Sequence, residues 1–400
     1  MKSVAVRTWL TPTVLAISLA SLFSDACYEL IIPLLPSLLA TLGGGAAALG
    51  LIEGLADALA SFFKLWGGRL ADVTRRRRAW AAAGYVGVGL FMPAIALAAN
   101  IAAVLGLRSA AWICRGFRSP IRETLLVDGT DLKYVNRAFG FQRALDTVGA
   151  VIGPAVAIAL IAAHVPVRDA ILVGIVPGLL APLMYLFVSE RPRTEPAPER
   201  LHIAFANLPG DFKRYVLAAG TFGLGNFSAT LLVLVAIRAL SAHMAMHEAI
   251  AWATALYLLH NVLFALLAYP ASLLSERIGS GRLLLAAFSL YCVVAILVAT
   301  APLSIPAVAA AFVLAAAAIA IVEPMEGTFA TELLPPQRRG TGFGLLAAVN
   351  GIGDFVASAG VGFAWQMFGA LAAFGSAAAV CAVGVALLAP LACRQSVKTA

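Results

Sequence analysis

The sequence predicts an all-α integral membrane protein of twelve transmembrane helices, arranged as two pseudo-symmetric six-helix bundles. Three observations predict it. Of 400 residues, 62% are hydrophobic and only 12% charged, about half the charge of an ordinary soluble domain, so there is too little polar surface to cover a water-soluble globule. The apolar residues fall in runs of about 20, the length that crosses a ~30 Å hydrocarbon core. The chain also repeats itself. Asp72 corresponds to Glu276 and Arg78 to Arg282, an offset of 204 positions, and Arg137, Gly140, Phe141 and Gly149 correspond to Arg339, Gly342, Phe343 and Gly351 at an offset of 202. An internal repeat of half the chain marks a duplicated bundle.

In order, the spans are expected near 12–40, 46–66, 79–99, 101–122, 138–163, 168–189, 214–238, 249–273, 281–301, 304–331, 340–367 and 369–393. Lys2 and Arg7 precede the first run, which holds Asp25 and Glu29 and has no cleavage pattern, so it reads as a retained span rather than a signal peptide. Charge and proline concentrate from Ser189 to Arg200, which divides the chain into an N-terminal bundle (1–189), a linker (190–213) and a C-terminal bundle (214–400). Pro33, Pro36, Pro154, Pro177, Pro182 and Pro324 interrupt spans. Membrane helices tolerate such breaks where neighbours resatisfy the freed carbonyls. The five cysteines, Cys27, Cys114, Cys292, Cys381 and Cys393, show no disulfide or metal-knuckle spacing and read as small packing residues.

Arg75–Arg78 cannot cross hydrocarbon, so this run marks a water-facing loop. Positive charge in short loops is retained on the cytoplasmic side. Twenty of the 28 lysines and arginines fall in segments on the side of the termini, against Arg108, Arg168 and Arg238 assigned to the opposite loops. The expected topology is therefore multi-pass with both termini cytoplasmic, in an inner membrane of bacterial type. The net charge of +8 records this topology, and nucleic acid is not expected as a partner.

Ionisable residues at membrane depth are expensive, so each is a functional candidate. Asp25 and Glu29 lie one turn apart on the first span, as do Glu53 and Asp57 on the second. Arg115, Arg118 and Arg122 form one stripe on the fourth span, with Arg122 and Lys64 at span ends where such side chains snorkel. The fifth span carries Arg143 and Asp146. Two readings stand side by side. These charges neutralise one another in buried pairs, a poor stabilising device because desolvation roughly cancels attraction. Alternatively, Asp25, Glu29, Glu53 and Asp57 couple protons, since a carboxylate in a low-dielectric cavity can hold a proton near neutral pH. Arg115, Arg118, Arg143 and Asp146 are then candidates for substrate contact, and the basic stripe leans toward a substrate with a negative group unless its arginines are paired internally. In the C-terminal half Glu323 and Glu326 flank Pro324, with Asp354 in the eleventh span. Asn226, Tyr257, His260, Asn261 and Asn350 are polar lining candidates. His243, His247 and Glu248, in a loop after the seventh span, have spacing compatible with a transition metal.

At these residues the chain resembles a known family. Gly68-x-Leu70-Ala71-Asp72 followed by a basic run, between the second and third spans of a two-half membrane protein, is similar to the loop motif of the major facilitator superfamily of secondary transporters. The family usually has a glycine where this chain has Arg75. Gly149-x-x-x-Gly153-Pro154 resembles the fifth-span motif of its antiporter branch, although Ala157 and Ile158 replace two further glycines. The resemblance implies two bundles rocking about a mid-membrane site. It gives gating roles to Gly68, Asp72, Arg76, Asp128, Gly149, Gly153 and Pro154, and implies proton-coupled antiport that expels a small organic molecule. The alternative is a divalent-metal exporter of the same fold. A monomer in lipid, with a small molecule or ion as substrate, protons as coupling ion and no cofactor, is expected. Phosphate-binding Gly-x-x-x-x-Gly-Lys-[Ser/Thr] loops and hydrolase or zincin motifs are absent from the sequence, so neither an ATPase nor another enzyme is expected. Duplicated halves with charged interiors also argue against a passive scaffold.

Overall fold

The computed structural model describes residues 10–131, 134–190, 208–335 and 339–394; within these, nothing is described of a few side chains, Asp72 and Glu276 among them. The described residues are almost entirely helical. The N-terminal bundle comprises α1 (Pro12–Thr41), α2 (Ala46–Val73), α3 (Arg77–Leu97), α4 (Ile101–Asp128), α5 (Val135–Ala162) and α6 (Val167–Phe187). The C-terminal bundle comprises α7, in two pieces (Gly210–Gly223 and Ala229–Ser241), α8 (Met246–Ile278), α9 (Ser280–Thr300), α10 (Ile305–Leu333), α11 (339–368) and α12 (370–394).

Local chemistry sets many of these boundaries. Thr11 caps α1 by accepting from Val14 N at 3.2 Å, with Pro12 in the first turn. Pro33 and Pro36 tighten its far end into a 3₁₀ turn. Asn100 Oδ1 accepts from Ala103 N at 2.8 Å and starts α4. Gly369, at φ +85°, breaks what is otherwise one continuous helix into α11 and α12.

Among the described residues, nine helices are long and apolar enough to cross a membrane, and one of these, Gly342–Cys393, is α11 and α12 joined at Gly369. The two missing from that count, α4 and α7, have chemical reasons. Helix α4 carries Arg108, Arg115, Arg118 and Arg122. Helix α7, expected as one span over 214–238, is interrupted at 224–228, where Gly223, Gly225, Asn226 and Ser228 replace helix formers. The first helical residue of the C-terminal bundle is Gly210, four residues before the expected boundary, while 191–207 of the linker lie outside the described residues.

The bundles repeat each other's packing. α1 lies on α5 as α7 lies on α11, and α2 and α3 lie on α4 as α8 and α9 lie on α10. Between bundles, α2 meets α11 and α5 meets α8. The α2–α11 seam is glycine-lined: a Cβ on Gly50 would collide with the Ser358 carbonyl, and one on Gly54 would come within 2.8 Å of the Phe355 carbonyl. Small residues let backbones approach this closely.

The contact between bundles is concentrated on the face away from the termini. There Gln366 Oε1 accepts from Ala47 N at 3.1 Å, and the rings of His164 and His247 lie 4.6 Å apart. Toward the terminal face the bundles separate, and Gly140, Gly327 and Gly344 border open space. The interior is therefore open on the side of the termini, while the opposite face is bridged by the Gln366 and His164–His247 contacts and keeps clefts of about 500 and 400 Å³ between the bundles.

Candidate functional site

On the inner side of the C-terminal bundle, where Asp57 of α2 meets it, lies a cavity of about 350 Å³, lined also by Asn226 and Ser228 at the break in α7, His260 of α8, Glu323 of α10 and Asp354 of α11. Glu323 also borders a wider cavity of about 570 Å³ between α5, α8 and α10, toward the terminal face. The broken helix is what brings Asn226 to the wall. Its freed backbone is resatisfied locally, since Ser228 N donates to Ser358 Oγ at 3.1 Å and Asn226 N to Gly223 O at 3.1 Å. Irregular backbone at membrane depth is tolerated where it is buried in protein or lines a cavity, and discontinuous helices recur at transporter binding sites.

Helix α1 brings its acids to the same interior. Gly149 and Gly153 of α5 lie against α1 at Leu22–Leu30; a Cβ on Gly153 would approach Leu30 N to 2.7 Å. The motif thus packs α5 onto the segment carrying Asp25 and Glu29, within one bundle. Asp25 is buried, 7% exposed, within the fields of Asp146 and Arg115. Glu29 reaches the other bundle. It accepts from Tyr257 Oη at 2.8 Å and Asn261 Nδ2 at 3.1 Å, while Asn261 also donates to Ala150 O at 3.1 Å. Arg143 Nη2 pairs with Glu323 Oε2 across the bundles at 2.9 Å and lies 3.6 Å from Asp146. Asn350 Nδ2 donates to Glu326 Oε2 at 2.6 Å. His260 is buried with Nδ1 against Phe312 O at 3.2 Å.

The arginines of α4 are held by the protein itself. Arg108, expected in a loop, is 1% exposed inside the bundle and forms a two-pronged pair with Glu53: Nε to Oε1 at 2.9 Å and Nη2 to Oε2 at 3.0 Å. Its guanidinium carbon sits 3.2 Å from the Trp112 ring centre, and Trp112 Nε1 donates to Asp57 Oδ1 at 2.8 Å. Arg115 donates to Tyr28 Oη at 3.3 Å. Arg118 donates to Ser24 Oγ at 2.8 Å under the Tyr85 ring, and its Nε and Nη1 have no partner among the described residues. Arg122, expected to snorkel, instead bonds Ser21 Oγ at 3.1 Å and lies 4.0 Å from Asp146. The sequence does not reveal Arg108 as the partner of Glu53; its place as the eighth residue of a capped helix is the available signal. Lys64 is exposed, within electrostatic reach of Asp57, Glu123 and Asp354 and of the like-charged Arg115.

At the terminal face the arginine that meets Asp128 is Arg77, Nη1 to Oδ2 at 2.6 Å, and it is 2% exposed; Arg76 points to solvent. Glu190 accepts from Arg77 N at 2.7 Å and Arg78 N at 3.3 Å, so a carboxylate from the end of α6 caps α3. These contacts tie α3, α4 and the end of α6 within one bundle. A Cβ on Gly68 would touch only Pro120, and the Asp72 side chain lies outside the described residues. The metal candidates do not converge. Glu248 Oε2 accepts from Ala245 N at 3.3 Å, His247 lies against His164, and no group of three His, Cys, Asp or Glu poised for an ion occurs among the described residues.

Comparisons agree with this architecture. The sequence profile of the Major Facilitator Superfamily matches residues 17–246 and again 216–398. The chain is 27% identical over 361 residues to an uncharacterized MFS-type transporter of Methanocaldococcus jannaschii, covering 90% of this chain and 89% of that one. It is 28% identical over 383 residues to an uncharacterized protein of Mycobacterium tuberculosis, covering 90% and 87%. In fold it is similar to the nucleoside transporter NupG (TM-score 0.77, 13% identity, 94% of this chain and 98% of that one). It is likewise similar to a bacterial homolog of the human lysosomal transporter Spinster in an inward-facing, occupied conformation (TM-score 0.74, 19% identity, 95% and 96%). Two matched six-helix bundles around a charged interior, with the profile covering both, make this chain a multi-pass membrane transporter of the major facilitator superfamily.

Proposed function

We propose that the protein is a proton-coupled antiporter that expels a small organic molecule across an inner membrane, with both termini in the cytosol and the present state facing the cytosol. The observation that carries the reading is Glu29. A membrane-depth carboxylate accepts two hydrogen bonds from the opposite bundle, 2.8 and 3.1 Å long, on the bridged side of the chamber. Hydrogen bonds to a charged group each contribute about 1.5–3 kcal/mol, so the charge on Glu29 favours the state in which the outer side is shut. A proton on Glu29 weakens that closure, which links protonation to the exchange of access. Asp25, in the fields of Arg115 and Asp146, is the second coupling acid. Glu53 is withdrawn from this role, because both its oxygens are committed to Arg108.

The test begins with a screen of organic solutes by thermal unfolding, since a ligand of the native state raises stability. Flux of the best hit is then measured in proteoliposomes with and without an imposed pH gradient. Gradient-driven flux that runs opposite to proton flow is expected in the parent protein and lost in Glu29→Gln. Flux indifferent to the gradient removes proton coupling.

A further inference from the structure

We infer that the chamber takes a small organic cation, with Asp57 and Asp354 as the acidic walls that recognise it and are ionised when it is bound. The inference rests on the reading of this cavity as the substrate site and names the substrate's charge. The fourth-span arginines, which in the sequence lean toward an anionic substrate, do not supply the binding charge. Arg108 is spent on Glu53, Arg118 lies behind α1 against Ser24 and Tyr85, and Arg122 bonds Ser21. Arg143 is engaged by Glu323 and Asp146. Arg115 lies against Tyr28, in the field of Asp25.

What remains on the cavity wall is carboxylate. Asp57 uses Oδ1 for Trp112 and has no ion-pair partner within 4 Å among the described residues; the same holds for Asp354, which has no hydrogen-bond partner there either. Glu326, near Asp354, holds only the neutral Asn350. The break in α7 offers no vacant anion cradle in compensation, since Ser228 N and Thr230 N donate to Ser358 Oγ and Ser228 Oγ. Phe227 and Tyr291 add aromatic wall, which attracts cations through the ring quadrupole.

A second observation points the same way. Lys64 lies seven residues after Asp57, two turns along the same face of α2. That face meets α11, because a Cβ on Gly351 would approach Ser61 Cβ to 2.7 Å. The Lys64 ammonium is in the fields of both Asp57 and Asp354 yet has no bond to either. It is an exposed, tethered cation in the same field of carboxylates, set outside the cavity wall itself. A cavity of about 350 Å³ is at the small end for ligand pockets, about 300–1,000 Å³, so the cation is small.

The test uses the full-length protein in detergent at neutral pH with three probes of one skeleton: 2-phenylethylammonium, 2-phenylethanol and 3-phenylpropanoate. Calorimetric titration is expected to give binding of the ammonium at least about tenfold tighter than the alcohol, with the propanoate weakest. Asp354→Asn is expected to reduce the preference for the ammonium about fivefold or more, and Lys64→Gln to strengthen ammonium binding by removing a like charge from that field. Unfolding temperature without probe checks that each variant is folded; should Asp354→Asn fail to fold, Asp57→Asn replaces it. Preference for the propanoate, binding of none of the three, or an unchanged preference in a folded Asp354→Asn overturns the charge assignment. Because binding is measured without a gradient, those outcomes are separate from failure of proton coupling.

Discussion

Replacing Glu53 is expected to destabilise the N-terminal bundle without touching the proton cycle directly. Glu53 and Arg108 are 3% and 1% exposed and share two bonds, at 2.9 and 3.0 Å. At an effective dielectric of about 20, unit charges about 4 Å apart attract by ~4 kcal/mol. Glu53→Gln removes that attraction, keeps one amide oxygen to accept from Arg108, and leaves the guanidinium uncompensated in surroundings whose other contacts are Met92 Sδ, at 3.6 Å, and the Trp112 ring. Removing one partner of a buried pair costs about 3–5 kcal/mol. Replacing both partners by apolar groups of similar volume, Glu53→Leu with Arg108→Met, is expected to recover most of the loss, since it removes both desolvation terms. The assay is thermal or denaturant unfolding of the purified protein in detergent, read as a double-mutant cycle. A single Glu53→Gln variant within 1 kcal/mol of the parent, or a double variant worse than either single, would refute the reasoning. The double variant also tests positioning. Arg108 stacks on Trp112, which holds Asp57, so flux or probe binding is expected to be weakened even where stability returns.

Three further outcomes follow from named contacts. Tyr257→Phe removes one of the two bonds closing Glu29 to the opposite bundle; spin labels at 164 and 247, whose rings lie 4.6 Å apart, are expected to show a larger long-distance population, and an unchanged distribution counts against the closure role. Gly153→Leu places side-chain atoms where a Cβ already lies 2.7 Å from Leu30 N; loss of folded yield in detergent-solubilised membranes is expected, and a normal yield would mean that α1 and α5 can part cheaply. Arg143→Glu and Glu323→Arg are expected each to impair flux and the double swap to restore part of it. Because both side chains are more than half exposed, at 57% and 53%, the singles are expected to shift unfolding stability by no more than about 1 kcal/mol; a larger shift assigns the pair to folding rather than to the access cycle.

The apolar runs, the duplicated motifs and the one-sided basic loops were legible without coordinates. Each depends on composition over a window, and lipid enforces that composition along every span. The acids of α1 and α2, and the candidates Asn226, Tyr257, Glu323, Glu326 and Asn350, were visible because a polar residue at membrane depth stands out against its neighbours. Their partners were not visible. Glu29 with Tyr257 and Asn261 joins positions 228 and 232 apart, and Arg143 with Glu323 joins positions 180 apart. Nothing local in the chain encodes such pairings.

What the sequence alone determined is that these charges must avoid lipid and that two alike bundles must provide the shelter. Tertiary structure alone decided which charges cancel. Arg108 closes on Glu53 and Arg77 on Asp128, while Asp57 and Asp354 stay open to the chamber. The reason is geometric: over distances of 3–4 Å electrostatic pairing depends on side-chain direction across helices, and helix periodicity fixes a face but not its neighbour.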